Sequence, residues 1–105
     1  MSDLIWMSAT DMARAVSSGE LSPVDIAEAT ITRIAEINPG IGAVVHHDPE
    51  QVRHDAAALE SELLSNGPRG PLHGVPYLIK DLDDVAGVPT SYGLPMLRDE
   101  VATKS

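Results

Sequence analysis

The sequence predicts an α/β chain of three helices and about two strands, and three observations predict it. Capped stretches of helical periodicity occupy most of residues 8–66, and two short runs rich in β-formers lie at 41–45 and 75–79. The third helical stretch falls between those two runs, which is the layout of a βαβ crossover with parallel strands that need not be neighbours. The expected organisation is a helical pair over residues 1–40, followed over 41–105 by the start of an α/β core left incomplete at its C-terminal side.

Each element has a local signal. Ser8 with Asp11 three residues later reads as a capping box, in which side chains satisfy the amides that a helix start leaves without partners. Ala9, Met12, Ala13 and Val16 follow at helical spacing, and Gly19 is the expected stop. A second start is clearer, with Ser22 as cap, Pro23 at the first helical position and Asp25 at the third. Ala27, Ile31 and Ile34 form its apolar stripe, and Asn38-Pro39-Gly40 is the expected end.

Ile41-Gly42-Ala43-Val44-Val45 then reads as a strand. Asp48-Pro49 opens a third helix carrying Val52, Ala56, Leu59 and Leu63 on one face, and Asn66-Gly67-Pro68 closes it. Tyr77, Leu78 and Ile79, bounded by Gly74, Pro76 and the charged pair Lys80-Asp81, read as a short buried strand. From Asp81 to Ser105 the residues are those of turns and loops, and two strands do not make a stable sheet by themselves.

Composition bounds the core and the function classes. Of the 105 residues 43% are hydrophobic, but alanine is frequent, phenylalanine is absent and only 3% are aromatic. Alanine removes little apolar surface from water and aromatic residues usually dominate core energetics, so the core should be thin. That suits an outer layer and one strand of a larger body.

The net charge of −9 is concentrated in the helical half, where residues 1–66 hold 11 acidic and 3 basic side chains. Such a surface repels nucleic-acid backbones and anionic membranes, and reads as a solvated face. Without cysteine there is no disulfide, thiol nucleophile or zinc–thiolate site. Met1 to Trp6 lacks the basic and apolar regions of a signal peptide, and no apolar run approaches the ~20 residues that span a bilayer. The expected location is the cytoplasm.

Lys80 carries most of the chemical information. At the end of a buried strand, desolvation would favour a neutral amine able to accept or relay a proton; the alternative is a lysine that extends its ammonium into solvent. Its context is PLHGVPYLIKDLDDVAGVPTSYG, residues 71–93. This run closely resembles the lysine-bearing stretch of the amidase signature family, and the likeness extends back through a strand similar to INAVV at Ile41–Val45 and through both N-terminal helices. Within the family, the GVPYL-type strand is most similar to that of amidases like 6-aminohexanoate-cyclic-dimer hydrolase.

The resemblance implies the N-terminal segment of a mixed β-sheet core covered by helices. It also implies that Lys80 ends a central strand and is the lysine of a Ser–cis-Ser–Lys triad that hydrolyses an amide C–N bond without metal or organic cofactor. Family members carry both serines further along, the nucleophile in a Gly-Gly-Ser-Ser-Gly-Gly run that these 105 residues do not contain. One triad member of three is present, so the chain is expected to be inactive alone. The implied partners are a small-molecule amide in the full-length enzyme, neither nucleic acid nor membrane, and a second copy of the chain or the missing C-terminal portion. Two other readings stand beside this one. One is a non-catalytic interaction or oligomerisation module, or a truncated remnant. The other is a segment like the A subunit of the tRNA-dependent amidotransferase.

Other chemistry-bearing residues point to structural roles. Asp81 should anchor the turn after the lysine, because neighbours in an extended chain point opposite ways and would not pair. Thr90, Ser91 and Gly93 occupy a Thr-Thr-x-Gly-Ser-like turn of the family, with Leu94 in place of the last serine, and Ser91 is not expected to be a nucleophile. His46, His47 and His54 lack acidic or thiol ligands at metal-binding spacing, and His73 reads as a turn residue. Asp81, Asp83 and Asp84 fail the calcium-loop template, because Val85, Ala86 and Tyr92 fall where ligands and glycine are required. Tyr77-Leu78-Ile79-Lys80 resembles the kinase lysine strand, but no phosphate-binding glycine loop precedes it.

Overall fold

The structure, a computed structural model, describes every residue except Met1, Leu82 and Arg98. Its elements are a 3-10 helix at Ser2–Trp6, α1 at Ala9–Ser18, α2 at Pro23–Ile41, α3 at Pro49–Asn66 and a second 3-10 helix at Pro95–Leu97. The chain divides into two compact units. One comprises Met1–Ala43 and Asp48–Pro76, the other Val44–His47 and Tyr77–Ser105.

In the first unit the expected caps form. The Ser8 hydroxyl accepts from the Asp11 amide at 3.1 Å, and Ser22 accepts from Asp25 at 3.0 Å. The Asp48 carboxylate accepts from Gln51 at 3.2 Å, with Pro49 next to it at the first helical position. Gly19 closes α1 in the left-handed conformation at φ 85°. Gly67 closes α3, its amide donating to Leu63 at 3.0 Å.

The apolar stripes converge on Met12, Val16 and Ile26, with Met7, Leu21, Leu63 and Val75 packed against them. Val16 and Ile26 retain 0% and 1% exposure, and burial of side chains this size is worth roughly 1.5–3 kcal/mol each. Ala13, Ala27 and Ile31 are buried as their spacing requires, whereas on α3 only Ala56 of the expected face is fully buried. α3 is tied to α2 by Arg53, whose Nε donates to Glu28 at 2.6 Å while Nη1 donates to Glu50. Hydrogen bonding to Arg53 holds the Glu28 carboxyl below the usual range, but the pair is nearly half exposed and solvent screens most of its attraction.

Three expectations are corrected. First, the helix α2 runs through Asn38-Pro39-Gly40 and ends at Ile41. Pro39 lies in the last turn, where one lost amide bond is tolerated, and Gly42 at φ 62° supplies the cap by donating to Asn38 at 2.7 Å. Second, 41–45 therefore contains no strand, since Ile41 is already spent in the helix. Third, residues 75–80 contain no strand either: Tyr77, Leu78 and Ile79 make no backbone hydrogen bond with another described segment. The βαβ crossover is thus absent among the described residues. A β-strand is defined by a ladder with a partner strand, and residue type alone does not supply one.

The second unit is built from turns. Its nearest approach to a sheet is an antiparallel bridge between Pro89 and Val101, flanked by bonds from Thr90 to Glu100 at 3.0 Å and from Ala102 to Val88 at 3.1 Å. No helix among the described residues is long and apolar enough to cross a membrane.

Candidate active site

Lys80 sits at the end of a segment of irregular backbone whose apolar side chains are exposed. Tyr77 is 82% exposed, Leu78 71% and Ile79 49%. Lys80 is exposed as well, contrary to the expectation of a buried strand end. Its backbone is nevertheless held: the Lys80 carbonyl accepts from the Asp83 amide at 3.0 Å, closing a turn directly after the lysine.

Asp81 gathers the next turn onto itself. One carboxylate oxygen accepts from the Ser91 amide at 2.8 Å; the other accepts from the Ser91 hydroxyl and from the Gly93 amide at 3.1 Å. Its carbonyl accepts from the Tyr92 amide at 3.1 Å. Donation by Ser91 is the main reason the Asp81 carboxyl is held below the ordinary carboxylate range. Asp81 makes no ion pair with Lys80 among the described residues, as expected for adjacent positions. The Tyr92 backbone, at φ 54°, takes the left-handed form that lets both neighbouring amides point at one carboxylate. Ser91 is buried and spends its hydroxyl on Asp81, which gives it the turn-stabilising role read from the sequence.

The histidines separate into one with a defined structural place and three without shared chemistry. His73 is 7% exposed in the turn after α3, where Nδ1 accepts from the Arg69 amide at 2.9 Å. Nε2 therefore carries the proton and donates to the Leu59 carbonyl at 2.8 Å. The Arg69 side chain grips Glu62 through both carboxylate oxygens, at 2.9 and 3.0 Å. His46 and His54 are exposed and His47 is half-buried. Among the described residues no group of three His, Cys, Asp or Glu side chains is placed to hold a metal ion.

The helical unit also contains an open apolar cleft of about 220 Å³ lined by Leu4, Ile5, Met12, Ile26, Ile34 and Pro76. Sequence reading missed this cleft, the Asp81–Ser91 contact and the Leu59–His73 bond. No local signal points to the second, because an aspartate's turn-forming bonds are ordinarily made about two residues on, and Ser91 is ten positions away.

Residues 25–105 match the family described as Amidase. An acylamidase from Rhodococcus erythropolis is 50% identical over 101 residues, which cover 96% of this chain and 21% of that protein. The A subunit of the glutamyl-tRNA(Gln) amidotransferase of Salinispora tropica is 36% identical over 99 residues, covering 94% of this chain and 20% of the relative. Among solved structures, a bacterial aryl acylamidase of the amidase signature enzymes superposes with a TM-score of 0.86 at 36% identity, over 92% of this chain and 20% of that one. The chain thus spans about a fifth of the length of the proteins it matches. With the lysine-bearing run 71–93 inside the matched region and the superposition extending over nearly all of the chain, the protein belongs to the amidase signature family.

Proposed function

We propose that this chain supplies the lysine of a Ser–cis-Ser–Lys triad, with Lys80 as the proton-transferring base of an amide-hydrolysing enzyme. What carries the reading is the position of Lys80 at the end of Gly74-Val75-Pro76-Tyr77-Leu78-Ile79, inside the region that matches the family. In this mechanism the Lys80 amine takes a proton, through a bridging serine, from the serine that attacks the amide carbon. The proton passes to the nitrogen of the leaving amine as the C–N bond breaks, and water then hydrolyses the acyl-enzyme ester to release the acid. An ammonium cannot accept the first proton, so the reaction needs a water-poor setting around Lys80. The 105 residues contain neither that setting nor the Gly-Gly-Ser-Ser-Gly-Gly run, and alone they are expected to be inactive.

The proposed substrate class is small acyl amides, including anilides. The names of an acylamidase, an aryl acylamidase and an indoleacetamide hydrolase among the similar proteins support it. A second reading is a role in ammonia transfer, supported by the amidotransferase A subunits that also match. The two separate by whether an acyl anilide is hydrolysed without partner subunits.

The test is turnover of an acyl anilide by the full-length protein and by its Lys80→Ala variant. Loss of a positioned acid–base group should lower kcat by about 10²–10⁴-fold while the variant stays folded. Wild-type turnover in Lys80→Ala would sink the assignment.

A further inference from the structure

We infer that Asp81 is a positioning residue for the reaction, fixing the backbone from which Lys80 projects by clamping it to the Ser91–Gly93 turn. The inference rests on the assignment of Lys80 as the base. Four hydrogen bonds join residue 81 to residues 91–93: two reach the carboxylate from the Ser91 and Gly93 amides, one reaches it from the Ser91 hydroxyl, and one reaches the Asp81 carbonyl from the Tyr92 amide. A fifth, from the Asp83 amide to the Lys80 carbonyl, closes the chain on the other side of the same peptide. Lys80 itself makes no ion pair among the described residues, so these backbone ties are what define its origin.

The direction of the tie matters chemically. The carboxylate accepts from donors at residues 91 and 93 and makes no ion pair with Lys80 among the described residues. The contacts that fix Asp81 are thus made to the turn and not to the amine that would act as the base. Reactions that depend on proton transfer across a few ångströms are sensitive to such placement, and a displacement of about 1 Å can cost roughly 10²-fold.

The test measures kcat, KM and the pH dependence of kcat for full-length wild type, Asp81→Asn, Asp81→Glu, Ser91→Ala and Lys80→Ala on an acyl anilide. Asparagine keeps the size but replaces one acceptor oxygen with a donor, so Asp81→Asn should lower kcat by about 10–100-fold with KM within about twofold. Ser91→Ala removes a single bond to the same carboxylate and should lower kcat by a few fold. The Asp81→Asn/Ser91→Ala double variant should lose less than the product of the two, because the residues form one unit. Asp81→Glu should recover part of the loss, and the acidic limb of the pH profile should move in Asp81→Asn. A residue that only stabilises the turn would lower the yield of folded enzyme and leave kcat and the pH profile of the folded fraction alone. That result, with Lys80→Ala inactive, overturns the inference and leaves the base assignment standing. Full activity in Lys80→Ala overturns both. If Asp81→Asn does not fold, the Ser91→Ala variant decides: an unchanged kcat and pH profile there contradicts the inference.

Discussion

The helical unit closes its own hydrogen bonds, and the unit that carries Lys80 leaves an apolar run in solvent. In the first, Ser8, Ser22 and Asp48 cap the helix starts from three residues away, and Gly19, Gly42 and Gly67 close the ends. Val16 and Ile26 are sealed in its core. In the second, Tyr77, Leu78 and Ile79 are exposed with no backbone partner among the described residues, and the organised part is the turn gathered on Asp81. Both segments are rich in apolar residues. The difference is that helical bonds are made within one stretch of chain, whereas a strand requires a second stretch brought from elsewhere. The run before Lys80 would therefore need residues from elsewhere to become a strand, whereas each helix forms from its own stretch of chain.

That contrast can be broken at its strongest point by truncating one apolar side chain in each unit. Ile26→Ala should destabilise the chain by about 2–5 kcal/mol, since it opens a cavity beside Met12 and Val16. Leu78→Ala, at 71% exposure, should stay within about 0.5 kcal/mol in the 105-residue chain. Denaturant midpoints measure both, and equal losses would erase the distinction.

The junction before the lysine segment offers a smaller effect. Gly74 has φ 84°, and an added Cβ would lie 3.1 Å from Pro23 Cγ and 3.4 Å from Val16 Cγ1. Gly74→Ala should therefore cost about 1–2 kcal/mol from the left-handed backbone, with further loss from the crowding. A thermal midpoint equal to wild type would show that the turn at 71–74 is not seated on the helical core.

The smallest effect is local and pH-dependent. The Asp81 carboxyl titrates lower folded than unfolded, chiefly because it accepts from Ser91. Its bonds to the turn are thus fully present above the unfolded carboxylate value of about 4 and are lost as pH falls through the lower, folded value. The Ser91 and Gly93 amide resonances should move together in that acid range, and Ser91→Ala should bring their midpoint upward. Independent movement of the two resonances would separate Ser91 from Gly93 and dissolve the shared clamp.

The same contrast explains what could be read from the sequence. The three long helices were legible because Ser8 with Asp11, Ser22-Pro23 and Asp48-Pro49 place cap and helix within one turn of chain. The end of α2 was misread because Asn38-Pro39-Gly40 carries strong turn residues, although a proline in a last turn forfeits only one bond. Strands were expected at 41–45 and 75–79 from residue type, but β-propensity reflects how a side chain fits a partnered surface. Within the candidate site, the anchoring role of Asp81 followed from its position after Lys80. Its partner Ser91 did not, because the two are ten positions apart in sequence and the approach depends on the turn at Tyr92.

Amide hydrogen exchange, residue by residue, on the 105-residue chain tests the central distinction most directly. Slow exchange should be found in the interiors of α1, α2 and α3 and at Ser91 and Gly93, with Tyr77 to Lys80 exchanging close to the rate of an unstructured peptide. Strong protection at Tyr77, Leu78 and Ile79 in that chain would mean the lysine strand pairs without residues from elsewhere, and would contradict the account.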